Sequence, residues 1–109
     1  MSDMKKWPKP PETYSEFVEK YPKLGRAWSL IGEAGLEGPL SAREARLVKL
    51  GVAIGALREG AVHSSVRKAL AEGLIPEDVE QVIALAASSL GLPATVAAYT
   101  WARDTIGQR

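Results

Sequence analysis

Between Leu47 and Leu57 the only polar side chain is Lys49, and this run constrains the fold more than any other feature of the chain. Just before it, Ser41 and Glu44 have the spacing of a capping box. The serine hydroxyl accepts a backbone N–H one turn on, and the glutamate reaches back to the serine N–H, which predicts a helix starting at about Ala42. A helix that is apolar nearly all round must be covered on several sides, by its own chain or by another subunit. A chain of 109 residues makes one domain with few helices to offer, so a homo-oligomer is expected. Gly51 and Gly55 form a Gly-x-x-x-Gly face that lets a second helix approach closely, although in a water-soluble setting such a face often means only tight packing.

The rest of the chain is punctuated in the same helical style. Three prolines around Lys9 predict an extended arm over residues 1–11 with polyproline character, and residues 12–109 form the helical domain. A first helix is expected at about Glu12 to Tyr21, burying Tyr14, Phe17, Val18 and Tyr21. A second runs from Pro22 to the Gly35–Pro39 cluster, with Leu24, Ala27, Trp28 and Ile31 inward. A fourth occupies Arg58 to Gly73, the glycine placed for a left-handed cap. Pro76-Glu77-Asp78 launches a fifth, with proline in the first turn and acids at the positive end of the helix dipole. Gly91-Leu92-Pro93 stops it, and a sixth follows at about Ala94 to Ile106. Nothing alternates as a strand would, so the fold class is all-α, a single-domain bundle of about six helices.

The chemistry-bearing candidates fall on the fourth helix. Glu59, His63 and Arg67 are four apart and share one stripe beside Val62, Val66, Ala69 and Leu70. A carboxylate beside an imidazole is a workable proton relay, and histidine titrates near neutral pH without tuning. The plainer alternative is a pair of solvated neighbours contributing roughly 0.2–0.5 kcal/mol. What argues for more is the setting: an apolar helix immediately precedes the stripe, and polar groups kept near a core usually need a reason.

Composition excludes several classes of function. There are no cysteines, which removes disulfides, thiolate nucleophiles, Cys-ligated zinc and iron–sulfur clusters. Charges nearly cancel, 14 Lys and Arg against 13 Asp and Glu, and they are interspersed, so neither nucleic acid nor an anionic membrane is an expected partner. No apolar run approaches the roughly 20 residues of a membrane span, and the first residues lack the apolar core of a signal peptide, so a cytoplasmic protein is expected.

The run Leu40-Ser41-Ala42-Arg43-Glu44-Ala45-Arg46-Leu47, the apolar helix, Gly60-Ala61-Val62-His63, Ala69-Leu70-Ala71-Glu72-Gly73, Pro76-Glu77-Asp78-Val79 and Gly91-Leu92-Pro93 together resemble the carboxymuconolactone decarboxylase-like superfamily, which includes the alkylhydroperoxidase D-like proteins. Order and spacing agree from about Leu40 to Trp101. The resemblance implies an all-helical fold assembled into trimers, or hexamers built from dimers, with active sites near subunit contacts. Its peroxidase branch carries Cys-x-x-Cys-x-x-x-His and a glutamate on the preceding helix. Those positions fall here on Arg58, Ala61, Ser65 and, approximately, Arg46. A thiol peroxidase is therefore chemically excluded. The decarboxylase branch needs no cysteine, and its Glu followed by His finds its nearest counterparts in Glu59 and His63. His63 stands two residues before the family position, a rotation of about 200° on a helix.

Two functions follow as expectations. The first is a small-molecule lyase or isomerase acting on a lactone or small carboxylate, with His63 as general acid or base, Glu59 orienting it, and Arg46, Arg58 or Arg67 pairing with the substrate carboxylate. No cofactor or metal is expected, since one histidine per chain is poor evidence for a metal site even around a trimer axis. The second is a non-catalytic oligomeric assembly or small-ligand-binding protein that has lost the peroxidase relay. Trp28, Tyr99 and Trp101 are candidates for lining an apolar pocket, though aromatics at helical spacing are more often core.

Overall fold

The computed structural model describes residues 12–108, so the proline-rich arm expected over residues 1–11 lies outside the described residues. Six helices follow in order: α1 (Glu12–Lys20), α2 (Pro22–Gly35), α3 (Ala42–Ala56), α4 (Glu59–Ala71), α5 (Pro76–Leu90) and α6 (Leu92–Ile106). Among the described residues there is no strand, and no helix is long and apolar enough to cross a membrane.

Helices α3 to α6 make the body. α3 packs on α4 and α5, and α6 closes the ring by packing on the same two. The core fills the space between them with Leu50 and Ile54 of α3, Val62, Val66 and Leu70 of α4, Val79 and Ile83 of α5, and Ala98 and Ala102 of α6. The small residues of α6 let that helix lie close to α4. Gly51 plays the same part on α3, where a Cβ would stand 3.9 Å from Val82 of α5; Gly55 meets nothing within 4 Å.

The helix ends follow their local chemistry. Ser41 Oγ accepts the Glu44 N–H at 3.0 Å and Glu44 accepts the Ser41 N–H at 2.8 Å, completing the capping box. Gly73, at φ +101°, turns the chain out of α4 in a conformation that residues with a Cβ seldom adopt. α6 starts at Leu92, earlier than the expected Ala94, because Pro93 sits within its first turn, where a missing N–H costs no intrahelical bond.

The first two helices depart from expectation. Neither contains a buried residue; of the side chains expected to point inward, Phe17, Leu24, Trp28 and Ile31 are all exposed. α1 and α2 pack on each other, with Val18 so close to Gly25 that a Cβ there would stand 3.2 Å from the valine Cβ. Periodicity alone identified an apolar face, but among the described residues no third element covers it. The α3 helix is likewise covered on one side only: Leu50 and Ile54 are buried, while Val48 and Val52 are exposed.

One ion pair fastens α3 to the start of α5. Arg43 donates to Asp78 at 2.8 and 3.4 Å, and the same carboxylate accepts the Ile75 N–H at 2.9 Å. The arginine hydrogen bond first, and the backbone bond second, hold the Asp78 carboxyl below its ordinary value of 3.8. A carboxyl lowered by folding stabilises the fold above its unfolded value and loses that contribution as pH falls through the folded one. Wild type should therefore melt above Asp78→Asn near neutral pH. The gap should close as the pH is taken below 3.8, which thermal melts across the acid range will check.

Candidate functional site

Leu57 ends α3 in a left-handed conformation, φ 53° and ψ 43°, uncommon for a residue with a branched side chain. This tight reversal makes Arg58 the extended residue preceding α4 and Glu59 the first residue of that helix. The Glu59 carboxylate thus sits at the positive end of the α4 dipole. One turn on, His63 Nε2 lies 3.3 Å from Glu59 Oε2.

The other ring nitrogen turns inward. His63 Nδ1 is hydrogen-bonded to Oγ1 of Thr105 on α6, a buried hydroxyl that also bonds the Trp101 carbonyl oxygen at 3.3 Å. A hydroxyl both donates and accepts, so Thr105 satisfies Nδ1 in either charge state. With a neutral ring protonated at Nδ1, Nδ1–H donates to Thr105 Oγ1, the hydroxyl gives its own proton to the Trp101 carbonyl, and Nε2 keeps the lone pair that can take up a proton. In the imidazolium Nδ1–H keeps that bond and Nε2–H donates to Glu59. A proton carrier needs that tolerance. Because Thr105 closes off Nδ1, Nε2 is the nitrogen open to exchange, and the His63 side chain is 29% exposed against 62% for Glu59.

A cavity of about 570 Å³ adjoins the ring, lined by His63, Ser64, Arg67 and Lys68 of α4 and, from the opposite side, by Tyr14 and Trp28 of the α1–α2 hairpin. Arg67 donates to Ser64 Oγ at 3.3 Å. Partial burial, and after it the charges of Arg46, Lys49 and Arg67, lower the Lys68 ammonium below its ordinary value against the pull of Glu72. A second hollow, about 610 Å³ between α3 and α5, is walled by Leu47, Val48, Val82 and Leu85. Its charged groups are Arg43 and Asp78, already paired with each other, so the His63 cavity is the better place for chemistry.

The expected site residues separate in space. Glu59, His63 and Arg67 share one face of α4, as their spacing requires. Arg46 is held in a two-pronged pair with Glu72 at 2.8 and 3.0 Å, its side chain only 10% exposed, and Arg58 is exposed with no side-chain capping bond; neither lines the cavity. Ser65, the position that the resemblance assigns to the peroxidase-branch histidine, is buried with a hydroxyl unpartnered among the described residues and is likewise absent from the lining. Of the three aromatic candidates, Trp28 lines the cavity, Trp101 packs against the core and Tyr99 lies exposed with the Arg103 guanidinium 6.0 Å from its ring centre.

Sequence reasoning missed Thr105, Lys68 and Tyr14. Lys68 was within reach, since positions 63, 64, 67 and 68 lie on one helical face. Thr105 is 42 residues from His63, and only packing of α6 on α4 brings it there.

The model of the Carboxymuconolactone decarboxylase family matches residues 22–104, from the start of α2 to within two residues of the end of α6. The match reaches further toward the N-terminus than the resemblance that began at Leu40, and it takes in the helix that supplies Trp28. No curated protein and no solved structure matches the chain. With most of its length matched, the chain belongs to the carboxymuconolactone decarboxylase family.

Proposed function

We propose that this protein is a cofactor-free lyase or isomerase that moves a proton on a small carboxylate or lactone. His63 is the general acid or base, Glu59 and Thr105 hold its ring, and Arg67 pairs with the substrate carboxylate. The observation that carries the reading is the imidazole on a cavity wall, with a polar partner beside each nitrogen, one turn from an arginine that has no carboxylate on it among the described residues. Arg46, engaged by Glu72, and Arg58, at the solvent, are assigned no contact with substrate. A general acid or base must lie within hydrogen-bond reach of the proton it moves, and an Nε2 beside the cavity meets that condition.

A second reading is favoured by the residues at the peroxidase relay positions. Arg46, Arg58, Ala61 and Ser65 carry none of that chemistry, and large apolar side chains stand exposed on α1, α2 and α3. On this reading the protein is an oligomeric assembly or ligand-binding module without turnover. Both readings include a homo-oligomer, trimer or hexamer, in the cytoplasm, because exposed apolar faces of this extent are usually covered by a partner.

Binding of a small carboxylated lactone, followed through the ring signals of the sole histidine by NMR, tests the first reading. Arg67→Gln should weaken binding about tenfold or more, the effect of one charge-assisted hydrogen bond. Binding that leaves the His63 signals unmoved and is indifferent to Arg67→Gln would favour the second.

A further inference from the structure

The cavity beside His63 holds one group that proton transfer leaves unused. Lys68 stands one turn after Ser64 and next to Arg67, and it lines the same cavity. Among the described residues its ammonium has no ion-pair partner, whereas Arg43 and Arg46 are each held by a carboxylate. Its nearest charges are mainly of its own sign: Arg46, Lys49 and Arg67, with Glu72 as the one opposing group.

We propose that the Lys68 amine is a covalent site, forming an imine with an aldehyde or ketone that carries an acidic group on a flat body. Three features of the cavity select that ligand. Arg67 offers a planar cation for the acid, and among the described residues its guanidinium donates only to Ser64. Trp28 and Tyr14 offer apolar ring faces from the opposing wall, suited to a flat conjugated body. Gly60 contributes backbone without a side chain, leaving room beside the ring of His63.

The lowered ammonium, displaced first by burial and then by its like-charged neighbours, supplies more neutral amine than a fully solvated lysine would. That neutral form is the nucleophile, and a cationic neighbour is a known way to make one. The amine lone pair adds to the carbonyl carbon while the carbonyl electron pair passes to oxygen. The nitrogen gives up its two protons, the oxygen takes them and departs as water, and a C=N bond remains. Nothing is oxidised or reduced. The step requires Lys68 and Arg67 but not the Glu59–His63 pair, so it stands apart from the proton-transfer reading even though it uses the same cavity.

The test treats the full chain with limiting 4-carboxybenzaldehyde and sodium cyanoborohydride, whose hydride fixes the imine as a secondary amine, and then maps adducts by peptide mass spectrometry. Lys68 should carry about tenfold more adduct than Lys20, Lys23 or Lys49, the gain expected of one charge-assisted contact. Benzaldehyde, which lacks the acid, should keep only the smaller preference that the lowered ammonium gives, and Arg67→Gln should cut labelling by the carboxylated aldehyde to that level. The readout is adduct formation, which needs no turnover, so failure of the catalytic reading would leave this result standing. Adduct spread evenly over the lysines would overturn the proposal. So would a Lys68 preference equally strong with benzaldehyde, because it would show a reactive amine without a cavity that selects its partner.

Discussion

The His63→Ala variant should fold as wild type does and lose turnover of the proposed lactone or carboxylate substrate by about 10²- to 10⁴-fold, the usual contribution of a positioned acid–base group. The fold should survive because the imidazole lies on a cavity wall and outside the cluster formed by Leu50, Ile54, Val62 and Val66. Removing it leaves the Thr105 hydroxyl its bond to the Trp101 carbonyl, so no buried polar group is orphaned. Thr105→Val makes the complementary change. It keeps the shape of the side chain but leaves Nδ1 without a partner, so the ring loses the contact that serves both charge states. Turnover should fall while affinity for the carboxylate, which the account assigns to Arg67, stays near wild type. A kcat and KM comparison of the two variants, alongside circular dichroism, reads both outcomes.

Ile54→Glu should unfold the chain, whereas Val52→Glu, two residues away on the same helix, should leave it folded and break up the proposed assembly. Ile54 is 0% exposed and Val52 67%. A carboxylate at position 54 would enter a core made of aliphatic side chains with no donor to meet it. The penalty for such a group is several kcal/mol, comparable with the roughly 5–15 kcal/mol that holds a whole domain together. At position 52 the new charge meets water in the isolated chain, and its cost arises only where another subunit covers α3. Thermal melts and sedimentation separate the two effects. Val52→Glu should retain a cooperative transition and sediment as an 11.7 kDa monomer; an assembly unchanged by it would remove α3 from the contact.

Much of this fold was legible because its boundaries are written in local chemistry. Ser41 with Glu44, Gly73, and Pro76 with Asp78 act within one turn of themselves, so no knowledge of the rest of the chain was needed to place the ends of α3, α4 and α5. Pro93 was misplaced for an equally local reason: proline stops one helix but is also welcome in the first turn of the next, and here it does the second. The α1–α2 hairpin was harder. The apolar stripe through Phe17 and the one through Leu24, Trp28 and Ile31 are real, but periodicity states that a face is apolar without saying what lies against it. The site divides along the same line. Glu59, His63 and Arg67 follow from helical spacing, and their shared face is where the cavity opens. Thr105 and Tyr14 come from α6 and α1, and they reach the site only through the packing of those helices. Arg46 illustrates the converse, a cation whose reach suited a substrate but whose partner, Glu72, lies 26 residues away at the end of α4.

The account depends on Glu59 and His63 acting as one unit, and a kinetic double-mutant cycle measures that directly. Turnover would be compared among wild type, Glu59→Gln, His63→Ala and the double variant, each confirmed to be folded. Members of one relay are not additive, so each single substitution should lower kcat substantially and the double should cost little more than the worse single. Losses that multiply, or single variants that turn over as wild type does, would contradict the account and reduce the Glu59–His63 pair to a solvated helix face.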